Sequence, residues 1–244
     1  MEFAMSSPYS RYKVILATED QARCAHFQLR YMVYCEKKQY ESSSLFPDGY
    51  ERDDHDSHAL HLLLKYTPPG SQTNRNVGTI RLIKGGNKPL PIENISDLNS
   101  NEFTNEYSGE LSRLAIHEVP SGHDTLPLFI LCRAAQHHAR GCGISRLYFL
   151  ARPALARHLT RNHLPFEQAG SPCYHRGRRI PYAMDVNGFA RGLARWEKKL
   201  IKQKLAPSSK TETLHAYQHP NRLSDMVPNG CLQTKGMPEP KKAI

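Results

Sequence analysis

Residues 58–84, HALHLLLKYTPPGSQTNRNVGTIRLIK, hold two apolar runs, 58–66 and 76–84, around the segment TPPGSQTNR. Leucine, isoleucine and valine dominate both runs, and the proline and glycine between them reverse the chain, so the stretch predicts an antiparallel hairpin. Upstream, 12–17 (YKVILA) alternates as a strand. Thr18 then offers a helix cap before a helix over 21–35 whose apolar positions Phe27, Leu29, Tyr31, Val33 and Tyr34 are only loosely helical in spacing. Residues 36–57 are polar, with a turn at Pro47, Asp48 and Gly49.

Downstream, a long polar loop over 85–107 leads to a strand at 109–119 (GELSRLAIHEV) and a helix over 126–139 closed by Gly141 and Gly143. A strand at 144–150, a short helix opened by Pro153 over 153–162, short strands or turns within 166–180 and a basic helix over 188–205 follow. Strands and helices in this order predict an α/β fold, a mixed sheet flanked by helices. Beyond Pro207 the composition turns to Ser, Thr, Pro, Lys and His, which predicts one folded domain over 1–206 and a mobile polar tail over 207–244.

The 33 Lys and Arg outnumber the 23 Asp and Glu, a net charge of +10 with much of the excess in the C-terminal half, and such a balance calls for an acidic partner. No helix-turn-helix pattern, zinc-finger spacing or aromatic RNA-binding signature accompanies it, so no stable nucleic-acid complex is expected. The six cysteines are scattered without a C-x-x-C pair and are expected to be free thiols. The N-terminal stretch MEFAMSSPYSRYKV lacks the apolar centre of a signal peptide, and no apolar run is long enough for a bilayer. A cytoplasmic protein with at most peripheral membrane contact is expected.

Three acids, Glu51, Asp53 and Asp56, are spaced E-x-D-x-x-D just before the hairpin, and Arg30, Arg81 and Arg113 lie on the elements around them. Mixed charges beside apolar strands are costly to bury unless they pair or serve a site. Asp54, His55, Asp56, His58 and His61 are metal-ligand types, but they follow no ligand signature and His58 and His61 fall on opposite strand faces, so no metal site is assigned.

The ordered series Arg30, Tyr34, Tyr40, then Glu51, Asp53, Asp56, then Arg81 in a strand, then Glu110, Ser112 and Arg113 as E-x-S-R resembles the acyl-homoserine-lactone (autoinducer) synthases, a branch of the GNAT-like N-acyltransferases. By motif the resemblance covers about residues 12–116. Tyr34 and Tyr40 stand where that family commonly has Phe and Trp. The segment SPCYHRGRRIPYAMD looks closer to N-acyl amino acid synthases and to acyltransferases associated with exosortase/PEP-CTERM systems. The resemblance implies a GNAT-like fold, site residues Arg30, Glu51, Asp53, Asp56, Arg81, Glu110, Ser112 and Arg113, and an acyl-carrier-protein or CoA thioester as co-substrate, with no permanently bound cofactor.

N-acylation needs a neutral amine, and an amino group is largely protonated near neutral pH, so a base must take a proton. Like charges resist joint ionisation, which favours a raised pKa for one of the three clustered acids; Glu51 is the expected base and the others hold the ammonium. Arg30 and Arg113 offer a fork to an acceptor carboxylate or lock the acids, and Arg81 makes a structural pair. Ser112 orients, and a backbone N–H of the 110–116 strand supplies the oxyanion donor. By strand alternation Arg113 points away from Glu110 and Ser112. Arg176, Arg178, Arg179, Lys198 and Lys202 are expected to dock an acidic carrier protein. The expected activity is transfer of a fatty acyl group from a carrier-protein thioester to the amine of an amino acid or related small molecule. The alternatives are a homoserine-lactone synthase using S-adenosylmethionine and a non-catalytic basic module that binds nucleic acid through its C-terminal helix.

Overall fold

A computed structural model describes residues 10–205 except 87, 100, 101, 103 and 119–124, with no account of the side chains of 204 and 205. The expected tail over 207–244 lies outside the described residues. In chain order the elements are β1 (Tyr12–Leu16), α1 (Asp20–Tyr31) continued by a π-helical turn (Met32–Lys37), β2 (Ala59–Tyr66), β3 (Arg75–Lys84), α2 (Pro91–Ile95), β4 (Ser108–Ile116), α3 (Leu126–Gly141), β5 (Arg146–Ala151), α4 (Pro153–Arg161), β6 (Glu167–Gln168), β7 (Cys173–Tyr174), β8 (Arg178–Asp185) and α5 (Val186–Leu205). The eight strands form one mixed sheet in the order β1-β2-β3-β4-β5-β8-β6, with β7 paired to β8. β4 and β5 are parallel; the other neighbours are antiparallel.

Alternation along the strands sends Leu62, Leu64, Ile80, Leu82, Leu111, Leu147 and Phe149 to one face, where they pack on Phe129 and Leu131 of α3 and Phe189 and Trp196 of α5. This is the main core. The opposite face carries α1 and α2 over Leu29, Val33 and Ala115 at one place and Ile83, Leu90 and Tyr148 at another. A side chain at Gly192 of α5 would meet the backbone carbonyl of His163 at 2.6 Å, so that helix lies directly on the chain leaving α4.

Two expectations needed correction. The short strands expected within 166–180 are β6 and β7, but β8 runs on beyond that span to Asp185 as a full interior strand, although Pro181 argues against a strand with neighbours on both sides. The proline is tolerated here because β6 is two residues long and pairs only with Ala183 and Tyr182. Within the expected long loop, α2 adds one short helix opened by Pro91. Cys35, Cys132, Cys142 and Cys173 are free thiols. No helix among the described residues is long and apolar enough to cross a membrane.

Candidate active site

The three acids and three arginines converge on the α1 face of the sheet. Arg30, fully buried, donates from Nε to Glu51 Oε2 at 2.5 Å and grips Asp56 with both terminal nitrogens at 2.7 and 3.0 Å. Arg81 donates to Asp53 at 2.5 Å, to Asp56 at 2.8 Å and to Ser112 Oγ at 3.1 Å. Arg113 closes the ring, donating from Nε to Glu51 Oε1 at 3.0 Å and from a terminal nitrogen to Asp53 Oδ2 at 2.7 Å. Three cations thus meet three anions with their forks occupied, the condition under which buried charge is tolerated. Local chain geometry prepares the acids: Asp53 caps a short helical turn through a bond from the His55 amide, and Asp56 accepts from the Asp53 amide at 2.7 Å.

A β-bulge brings Arg113 into this ring. Thr79 pairs with Ala115 and Arg81 with Ser112, so Ile80 stands opposite both Arg113 and Leu114. Arg113 takes a left-handed backbone conformation, φ 52°, and Thr79 Oγ1 holds its carbonyl at 3.0 Å. An extra residue reverses the alternation beyond it. Leu111 faces α3, yet Ala115, of the same parity, packs on Leu29 of α1 and Val33 of the π-helical turn. The sequence-based assignment of Arg113 to the face opposite Ser112 therefore fails, because alternation assumes a regular strand.

Asp53 and Asp56 are not tuned as the crowding suggests. Burial pushes Asp56 up, but Arg30 and Arg81 outweigh it and hold it well below the usual carboxylate range. Asp53 is likewise pushed up by burial and brought down further by Arg81 and Arg113. Both oxygens of Glu51 accept from guanidinium groups. The carboxyl with the opposite behaviour is Glu110, which burial raises to about 7 against a bond from the Ile92 amide at 2.7 Å. The expected raised pKa thus belongs to the E-x-S-R glutamate, whose cause is desolvation and not like-charge crowding.

Glu110 lines a cavity of about 150 Å³. Pairing of β4 with β5 ends at Leu111 and Phe149, and the cavity takes its walls from both faces of the sheet at that point. One end is polar, with Tyr34, Ser112, Arg113, His175, Arg176 and Arg179; the other is apolar, with Leu128, Leu155, Leu159, Leu164, Met184 and Phe189. Tyr34 reaches the polar end because the π-helical turn carries it over β4, where its hydroxyl donates to the Leu114 carbonyl at 3.2 Å. Tyr40 stacks edge-on to Tyr34 with ring centres 5.8 Å apart.

The expected docking patch divides. Arg176 and Arg179 line the cavity, and Arg176 pairs with Glu41; Lys198 and Lys202 rim a separate surface concavity with His163, Arg195 and Lys199; Arg178 is exposed. His175, Arg152 and Glu41 were not anticipated. The signal was the HRGRR string, where Gly177, φ 92°, follows Arg176, φ 53°, and makes a tight hairpin between β7 and β8 that turns 175 and 176 inward.

A mixed sheet whose parallel β4 and β5 part around a cavity, with a bulge in β4 at the cavity wall, defines a GNAT-type acyltransferase fold. Residues 29–128 match the family described as acetyltransferase (GNAT) domain. Among solved structures, the AHL synthase LasI is 17% identical over 75% of this chain and 94% of its own, with a TM-score of 0.59. The CoA-dependent acyl-homoserine lactone synthase BjaI, with SAM and isopentyl-CoA, is 18% identical over 75% of this chain and 88% of its own, with a TM-score of 0.57. FeeM, an N-acyl amino acid synthase from uncultured soil microbes, is 16% identical over 75% and 94%, with a TM-score of 0.52. No curated protein matches the sequence significantly. At these identities the likeness is one of fold, and it is the GNAT domain match that adds acyl transfer.

Proposed function

We propose that this chain moves a fatty acyl group from a carrier-protein or CoA thioester to the amine of an amino acid or related small molecule. One observation carries the reading: a buried glutamate titrating near neutrality lies on the wall of a cavity that is polar at one end and apolar at the other. Glu110 takes the proton of the ammonium, and the freed nitrogen attacks the thioester carbon. The carbon–sulfur bond of the tetrahedral intermediate then breaks, and the departing sulfur is protonated. Arg113 and Leu114 are outside the β3 register, so the strand amides at the bulge are candidates to bind the oxyanion. Ser112, fixed by Arg81, orients the substrate. Glu51, Asp53 and Asp56 hold the three arginines in place, and through them the bulge.

The test is mass spectrometry of lipids from cells expressing the protein. Amide-linked acyl products are expected; a homoserine lactone would assign the S-adenosylmethionine reading instead, and no acylated amine would remove both. Leu159→Trp, which fills the apolar end, is expected to shift the product distribution by several carbons toward shorter chains. An unchanged distribution would place the acyl chain elsewhere.

The concavity of Arg195, Lys198, Lys199 and Lys202 suits an acidic carrier protein, and a cytoplasmic location fits such a partner. Raising ionic strength from about 0.01 to about 0.15 M is expected to weaken use of a carrier-linked donor more than use of a small thioester. Equal loss for both donors would remove the docking surface.

A further inference from the structure

Three guanidinium groups, of Arg113, Arg176 and Arg179, line the cavity and Arg152 packs beside them on Tyr40; three of these four are engaged or exposed. Arg113 is held by Glu51 and Asp53. Arg176 is paired with Glu41. Arg152 is exposed, stacks on the Tyr40 ring at 4.8 Å and donates to the Arg176 carbonyl at 3.2 Å. Arg179 differs. Its Nε donates to the His175 carbonyl at 3.1 Å and its guanidinium lies 5.5 Å from the centre of the Tyr40 ring. Among the described residues its terminal nitrogens meet no carboxylate and donate no hydrogen bond, although the side chain is half-buried and lines the cavity.

A half-buried cation without a counter-ion is unfavourable, and burial lowers its pKa from the ordinary arginine value. Its Nε is anchored and its face is stacked, so the outward fork is oriented before any ligand arrives. A planar fork with two free N–H edges matches a carboxylate, which needs one such partner, better than a phosphate dianion, which calls for several cations.

We propose that Arg179 binds the free carboxylate of the acceptor, so that the acceptor class is an amino acid and the product an open-chain N-acyl amino acid. This rests on the acyl-transfer reading above and narrows it. The amine faces Glu110 while the carboxylate faces Arg179. A carboxylate held by the guanidinium is withheld as a nucleophile, so no ring closes on it after the amide forms. Arg30 and Arg113, which the sequence offers as the acceptor fork, are already filled by Glu51, Asp53 and Asp56.

The experiment supplies the purified full chain with mixed acyl-carrier-protein thioesters and an equimolar pool of the twenty amino acids, their α-amides, the matching decarboxylated amines and S-adenosylmethionine, with products read by mass. N-acyl amino acids are expected to exceed their amide and amine counterparts by at least about 100-fold. Arg179→Met is expected to bring that ratio within about threefold, and Arg179→Lys, which keeps the charge and loses the fork, to an intermediate value. The ratio is taken within one preparation, so a smaller folded fraction cancels. Equal wild-type use of acids and amides, a lactone as the main product, or a loss in Arg179→Met that falls on the thioester donor would overturn the inference while leaving acyl transfer standing. No amide from any acceptor would instead overturn the acyl-transfer reading itself.

Discussion

Glu110→Gln is expected to lower acyl transfer by about 10²–10⁴-fold, the range that a positioned general base contributes. Glutamine keeps the volume and an oxygen for the Ile92 amide, so the fold loses little while the proton acceptor disappears. The wild-type rate should rise with pH through a midpoint near the value of about 7 that burial gives this carboxyl, since only the ionised form accepts a proton. In Glu110→Gln the limb should vanish from the residual rate. A variant with near-normal rates, or a wild-type profile flat between pH 5.5 and 8.5, would rule out this glutamate as the base. Stability carries the opposite sign: the folded state holds the Glu110 proton more tightly than the unfolded chain, so its contribution falls as pH rises from the ordinary glutamate range toward about 7.

Arg30→Met is expected to destabilise the protein by about 3–5 kcal/mol, the cost of leaving buried carboxylates without their cation. Glu51 and Asp56 lie almost wholly buried beside it, and each loses a bonding partner. A double replacement, Arg30→Met with Asp56→Asn, should recover part of the loss, because it removes a stranded charge along with its partner. Thermal or urea unfolding of the three proteins gives the coupling directly. A loss under 1 kcal/mol for Arg30→Met would mean that water, and not the arginine, satisfies the acids. The same ring predicts acid sensitivity. Asp53 and Asp56 are held below the unfolded carboxylate value of about 3.9, so their contribution is complete above that pH and is lost as pH falls through their depressed folded values.

Most of the architecture was legible because it rests on patterns that survive local exceptions. The hairpin of β2 and β3, the helix at α3 with its glycine stop and the amphipathic α5 each follow from apolar period and turn chemistry. The acids and arginines could be grouped because unpaired charges beside apolar strands need one another. What escaped reading is where one residue changes the period. The bulge at Arg113 overturns alternation, the π turn moves Tyr34, and Pro181 hides β8. The identity of the tuned carboxylate escaped for another reason: Glu110 stands outside the E-x-D-x-x-D cluster, and tertiary burial is the largest influence on its proton affinity.

The doubled residue opposite Ile80 also constrains how this gene can drift. Deleting codon 114 would zip β4 regularly onto β3 with Ala115 still opposite Thr79, and in the same stroke it would swing Arg113 to the Ile80 face, away from Glu51 and Asp53; deleting codon 113 would remove that guanidinium outright. Strand register and the charge ring are therefore locked at one spot, and length variation should be tolerated in the loop over 85–107 long before it is tolerated there.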